Sequence, residues 1–151
     1  MTVPLTRRTE VRASTDAVWA VLADFGDLAR WARDIDHSSL LHEGELAVGL
    51  RRRVQLGRLT LVETVDVVEP SRRLGYRIEG LPRFLRQVRN EWELRPEAAG
   101  TSVAVTTTVD AGPRPPQQVV ARLVARRLAK ASDSMLAGLA REVAHPGAAR
   151  A

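Results

Sequence analysis

The spacing of apolar positions changes three times along this chain. From Leu5 to Arg12 they alternate weakly, as in a strand. Val18, Val21, Leu22 and Phe25 then fall at i, i+3, i+4 and i+7, one face of a helix. Ser14 or Thr15 can cap that helix, and Asp16 favours the positive end of its dipole. Gly26 stops it, and Asp27 can cap a second short helix carrying Leu28 and Trp31. From about Ile35 to Asp110 the period is two, with turn signals about every ten residues, as in an antiparallel meander. From about Pro116 to Val143 the spacing is helical again. Val120, Val124, Leu128, Ala131, Met135 and Leu139 form one stripe, with Arg122, Arg126, Lys130 and Arg141 roughly opposite. The pattern predicts a helix about 40 Å long, and Pro113, Pro115 and Pro116 end the sheet before it. With no repeat or linker between them, residues 1–144 are expected to form one α+β domain, followed by a flexible tail at 145–151.

Turn chemistry sets registers within the meander. Gly57-Arg58 suits a two-residue type II′ loop, which opposes Leu56 to Leu59, Val54 to Leu61, Arg52 to Glu63 and Leu50 to Val65. This is the apolar face, so it should point inward. A turn at Glu69-Pro70-Ser71-Arg72 sets Val67 against Leu74, Val65 against Tyr76 and Glu63 against Ile78. One at Leu81-Pro82-Arg83 brings Ile78 near Arg86, Tyr76 near Val88 and Leu74 near Asn90; one at "PEAAGT" sets Trp92 near Val105 and Asn90 near Thr107.

Composition narrows the function classes. The 151 residues carry 44% hydrophobic and 27% charged side chains, ordinary globular values. No apolar run reaches the length of a membrane span, and "MTVPLTRRTEVR" lacks the apolar core of a signal peptide, so a cytoplasmic protein without integral membrane association is expected. The absence of cysteine excludes a disulfide framework and a cysteine nucleophile. Net charge is +5, but the arginines are scattered among eighteen acidic residues and aromatics are few, so nucleic acid is not the expected partner. His37 and His42 are five apart on a strand and face opposite ways, and His145 lies in the tail; no metal site and no cofactor are expected. There is no Gly-rich phosphate loop or nucleophile elbow.

Strand, two short helices, long meander and long terminal helix resemble the helix-grip fold of the START and birch-pollen-allergen-like superfamily (SRPBCC), whose bacterial branches include polyketide cyclase/dehydrase and lipid-transport proteins. The resemblance is carried by "STDAVWAVLADFGDLARW", with support from Gly49, from "VVEPSRRLGYRI" and from "GTSVAV". It implies a curved sheet wrapping the helix, with an apolar cavity closed at one end by the short helices. Trp19, Phe25 and Trp31 would wall that end, with Trp31 the better ligand candidate and Trp19 core.

The inward ladder is apolar except where Arg52, Glu63 and Arg86 fall into one row with Ile78. Tyr76, Asn90 and Thr107 lie deeper, near Trp92, and Arg127 could lean toward the same mouth. An apolar cavity with a few polar groups suits a hydrophobic ligand with one polar end. Arg52 would pair Glu63, and Arg86 leaves surplus positive charge for a carboxylate, phenolate, enolate or phosphate. The plainer alternative is an ion pair at the rim, held in water. Trp31, Arg52, Glu63, Tyr76, Arg86, Asn90, Trp92 and Thr107 are therefore the candidate ligand residues of a hydrophobic carrier, monomeric or homodimeric. The resemblance implies a second reading, an aromatic polyketide cyclase or dehydratase. Glu63 would be the base and Arg52, Arg86 or Tyr76 the donors to an enolate oxygen, although a salt-bridged carboxylate is a weakened base. Whether the protein is an enzyme stays open at this point. A third reading, a partner surface on the Arg122/Arg126/Lys130/Arg141 face, competes with an ordinary solvated helix face.

Overall fold

Alternation at the N-terminus becomes strand β1, Val3–Val11. Ser14 Oγ accepts the Ala17 N–H at 3.1 Å and caps helix α1, Thr15–Ala23. The chain then turns through a 3-10 segment, Phe25–Arg30. The computed structural model describes residues 2–145; the expected tail lies, from residue 146 on, outside the described residues. Strands β2 (His37–Leu40), β3 (Arg51–Leu56), β4 (Leu59–Glu69), β5 (Arg73–Glu79), β6 (Gln87–Glu97) and β7 (Gly100–Asp110) follow in a meander. All neighbours are antiparallel in the order β1-β7-β6-β5-β4-β3-β2. Helix α2, Pro115–Ala144, extends one residue beyond the expected Pro116–Val143 at each end and packs on the sheet's inner face; its 30 residues give it a length of about 45 Å. This is the helix-grip fold. α1 and the 3-10 segment connect the two edge strands and close one side of the interior.

The first hairpin has the expected register throughout, with Gly57 at φ 57° and Arg52 opposite Glu63. Two later registers differ. Glu63 opposes Ile78 and Val65 opposes Tyr76 as expected, but a bulge between Val65 and Val67 then shifts the pairing, so that Val68, not Val67, opposes Leu74. The extra residue, Asp66, turns to the outer face, where it accepts two hydrogen bonds from Arg89 at 2.9 and 3.2 Å. The β5–β6 connection is longer than a tight turn: its turn is Pro82–Leu85, closed by Leu85 N–H to Pro82 O at 3.0 Å. Tyr76 consequently opposes Asn90 and Leu74 opposes Trp92, two residues from the expected register. A shift of two keeps every side chain on its face, so the inward set survives while its partners change.

The helix stripe needs a larger correction. The buried ridge of α2 is Ala121, Ala125, Ala129, Ser132, Leu136 and Leu139, about one residue out of phase with the expected stripe. Val120 stands at an exposed edge. Alanines let the helix axis approach the sheet closely, so the ridge that packs is the small one, and counting large apolar residues misplaces it. At the other end Gly138 packs directly on the Trp31 carbonyl, where a Cβ would collide with that oxygen. Gly138→Ala should therefore push α2 off the 3-10 segment and cost about 1–3 kcal/mol. A calorimetric melt should show a fall in Tm of several degrees; an unchanged or higher Tm would mean the contact is not tight.

Candidate functional site

The Gly57-Arg58 turn places Arg52 and Glu63 directly opposite each other on adjacent strands, both pointing inward. They are 4% and 5% exposed, so they do not form a rim pair. Arg52 Nε donates to Glu63 Oε1 at 2.7 Å, and Arg52 Nη1 donates to the Phe25 carbonyl at 2.9 Å. Its guanidinium carbon lies 3.8 Å from the Phe25 ring centroid and 4.7 Å from that of Tyr76. The two rings meet edge to face at 5.7 Å. A desolvated guanidinium over aromatic faces gains on the order of 2 kcal/mol from the ring quadrupoles, which helps offset its removal from water.

Beside the pair runs a chain of neutral hydrogen bonds. Trp92 Nε1 donates to Tyr76 Oη at 3.2 Å, and Asn90 Nδ2 does so at 3.4 Å. Thr107 Oγ1 donates to Asn90 Oδ1 at 2.7 Å and lies 3.5 Å from Ser132 Oγ, whose hydroxyl donates to the Leu128 carbonyl at 3.1 Å. Burial pushes the Tyr76 phenol above its ordinary range, the Glu63 charge adds to this, and Arg52 and the Trp92 and Asn90 hydrogen bonds partly oppose it. At neutral pH Tyr76 is a protonated group that can donate a hydrogen bond.

Six of the eight candidate residues, Arg52, Glu63, Tyr76, Asn90, Trp92 and Thr107, thus form one buried polar seam across the inner face. Trp31 joins them from the 3-10 segment, packing edge to face on Trp92 at 6.0 Å. The expected ranking of the tryptophans is reversed in burial, since Trp31 is core and Trp19 only half-buried. Arg86 is the exception. The two-residue register shift carries it past the end of the β5–β6 pairing, where its side chain is exposed and its N–H donates to Asp110 O at 2.7 Å. Arg127 is exposed on the outer side of α2 rather than leaning toward the interior. The expected charged trio is therefore a duo. Sequence reasoning missed the Phe25 carbonyl, a backbone acceptor that no side-chain pattern reveals. It also missed Ser132, which the correct helix phase would have found.

The hollow expected inside the sheet is largely filled. Next to the Arg52 guanidinium a void of about 10 Å³ remains, lined by residues including Leu22, Leu28, Trp31, Tyr76 and Trp92. Such a volume holds about one water molecule. Trp31 also lines an outer pocket of about 410 Å³, shared with Arg30, Arg33, Gly138 and Arg141. No cluster of metal-ligating side chains occurs among the described residues.

With the fold and the seam in view, residues 2–144 match the family described as polyketide cyclase / dehydrase and lipid transport. The chain belongs to that family. Among solved structures it is similar to the Zhui aromatase/cyclase from Streptomyces sp. R1128, at 22% identity and TM-score 0.71, covering 95% of this chain and 96% of that one. A START superfamily protein from Mycobacterium smegmatis aligns at 15% identity and TM-score 0.71, over 93% and 97% of the two chains. DynU16, from the dynemicin biosynthetic locus, aligns at 22% identity and TM-score 0.69 over 94% of this chain, which spans only 47% of DynU16. At these identities the likeness is one of fold. A comparison with curated proteins finds no match.

Tyr76 is the only tyrosine in the chain, so its ionisation can be read directly by ultraviolet absorbance. Its raised folded-state pKa means the fold holds the phenol proton more tightly than the unfolded chain does. That contribution to stability is complete below about pH 10 and is lost as pH rises through the folded-state value. Phenolate should appear only above the ordinary range and together with loss of the near-ultraviolet circular dichroism of the folded state. Titration at the ordinary value with the fold intact would show that Tyr76 is open to water.

Proposed function

We propose that this protein binds a hydrophobic small molecule with an anionic or polar end, which it holds between the inner sheet face and α2 with the polar end on Arg52. The observation that carries this is the sealed Arg52–Glu63 pair itself. A buried ion pair is a poor device for stability, because well-packed apolar residues of the same volume serve as well or better. Its position beside a small void and under two aromatic rings supports a binding role: an acidic ligand group can take over the guanidinium donors while the rings contact its apolar body. Tyr76, Asn90 and Thr107 would offer further hydrogen bonds, and Trp92 would pack against the ligand.

A drug-sized ligand needs at least about 300 Å³, far more than the closed interior offers, so binding requires side chains to move. Trp31 lines both the inner void and the outer pocket, and its displacement would join them. Lipids, quinones and aromatic polyketide-like molecules each combine an apolar body with a polar end of the kind this site would hold. We read the protein as a cytoplasmic carrier built from residues 1–144.

The second reading, cyclisation or dehydration of an aromatic polyketide, is favoured by the neutral Tyr76 phenol. A donor that keeps its proton can steady a developing enolate oxygen. Glu63 would be the base once a ligand has drawn Arg52 away from it. In this reading Glu63→Gln abolishes turnover of a poly-β-keto substrate while ligand affinity persists; an unchanged product profile dismisses it.

The double substitution Arg52→Met with Glu63→Leu separates binding from stability. It should fold with stability near the parent's, because the gain of about 1–4 kcal/mol from replacing a buried ion pair with apolar side chains is offset by about 1–3 kcal/mol for the Phe25 carbonyl left without its donor. It should also lose most of its affinity for hydrophobic carboxylates in a fluorescent fatty-acid displacement assay. Retained affinity in the folded double variant would remove the pair from ligand recognition.

A further inference from the structure

One end of the molecule carries a surface that the interior does not explain. The Gly57-Arg58 turn, the β5–β6 connection and the start of α2 lie at the same end of the sheet. Of the seven large hydrophobic side chains exposed among the described residues, five lie on these elements: Leu59, Phe84, Val119, Val120 and Leu123. Phe84, Val119 and Leu123 are 56%, 54% and 59% exposed. Phe84 and Val120 face each other across an almost wholly apolar groove of about 320 Å³. On the helix, Val119 and Leu123 are four apart and Val120 and Leu123 three apart, so all three share one outward side.

The charge around this patch has one sign. Stretches 57–60, 80–88 and 111–132 contain Arg58, Arg83, Arg86, Arg114, Arg122, Arg126, Arg127 and Lys130, and no aspartate or glutamate. Those eight cations exceed the whole net charge of +5. The remaining fifteen basic and eighteen acidic residues leave everything else at −3. Of the acids bordering the patch, Asp36 accepts the Gly57 N–H, Asp110 accepts the Gly112 N–H and Asp133 pairs with Arg7; Glu79 ends β5 beside it. The asymmetry therefore belongs to this end, not to a generally basic surface.

We propose that this end docks peripherally on an anionic lipid surface. Phe84 and the Val119/Val120/Leu123 side would enter the acyl boundary, and the surrounding arginines would lie among the headgroups. Exposed apolar side chains on three separate elements, with exposed cations on the same stretches, match an interface that is greasy within and negative at its rim. An amphipathic segment lying in a membrane combines the same two terms, buried apolar area and attraction to acidic lipid. An acidic protein partner would satisfy the charges. It would not need Leu59, at the start of β4, and Phe84, in the β5–β6 connection, to stand out with the helix, and the lipid surface is the better fit. Nothing in this proposal depends on what the interior holds.

The test is co-sedimentation of the full chain with vesicles of phosphatidylcholine alone and of phosphatidylcholine mixed with phosphatidylserine. Binding is expected only to the mixed vesicles, and it should weaken as salt is raised. Each of Arg83→Gln and Arg122→Gln should lower partitioning by about fivefold. Phe84→Ser, on an exposed loop, should lower it severalfold with the melting temperature unchanged. Lack of binding to acidic vesicles would overturn the proposal. So would binding insensitive to Phe84→Ser and matched by a soluble polyanion such as heparin, since that outcome describes charge adhesion or an acidic macromolecular partner. Because vesicle binding is read without any interior ligand, failure here leaves the carrier reading standing, and the reverse also holds.

Discussion

A single side chain, Arg52, ties the sheet to the segment that closes it. Its Nε holds Glu63 on the neighbouring strand and its Nη1 holds the Phe25 carbonyl, where α1 gives way to the 3-10 segment. The Phe25 ring then lies against the guanidinium, and Tyr76 packs on both. Ser38 on β2 binds the same segment, accepting the Ala29 N–H at 2.9 Å and donating to the Gly26 carbonyl at 2.8 Å. Arg30 fastens its far end to Glu142 of α2 and to Asp27. The closing segment is thus held by the packing of Phe25 and Leu28 into the core as well as by directional polar contacts. Such contacts are costly to leave unmade in a low-dielectric interior, but each can be taken over by a ligand group of the right charge. This combination makes a sealed interior compatible with a family whose description includes lipid transport.

The hydrophobic interior comprises two clusters that meet at Ile78 and Leu81, which pack against both. One cluster gathers α1, the 3-10 segment and the middle of the sheet around Val18, Phe25, Trp31, Trp92 and Leu139. The other lies beneath the first half of α2, around Val88, Val109, Ala121 and Ala125. Asn90, Thr107 and Ser132 lie buried across the inner face.

Much of the fold was legible in the sequence, because its strongest signals are local. A two-residue glycine turn fixes a hairpin register without reference to anything else, and Arg52 opposite Glu63 followed from it. Ser14 and the proline run marked the starts of α1 and α2 by chemistry that acts within a few residues, whereas Gly26 and Asp27, expected to stop α1 and to cap the next helix, both lie inside the 3-10 segment, α1 having ended at Ala23. What else escaped depends on distant parts of the chain. The bulge at Asp66 exists because a carboxylate there meets Arg89 across the outer face, over Gly75, whose missing Cβ leaves room for both side chains. The length of the β5–β6 connection is set by its docking on the end of β7, so Arg86 fell outside the row. The phase of α2 was misread because its closest contacts are alanines, which carry little hydrophobic signal yet decide how near the helix can come. The filled interior could not be seen at all from spacing, since it depends on how far Phe25 and Trp31 reach inward.

On ligand binding, Arg52 would exchange Glu63 for an acidic ligand group. This exchange is tested most directly by following the Arg52 Nε–H resonance in nitrogen-edited NMR while a long-chain fatty acid is added. A saturable shift of that resonance is expected, accompanied by a change in Trp31 indole signals as the wall beside it moves. Binding of the fatty acid with the Arg52 resonance unmoved, or no binding under any of the conditions in which the protein is folded, would contradict it.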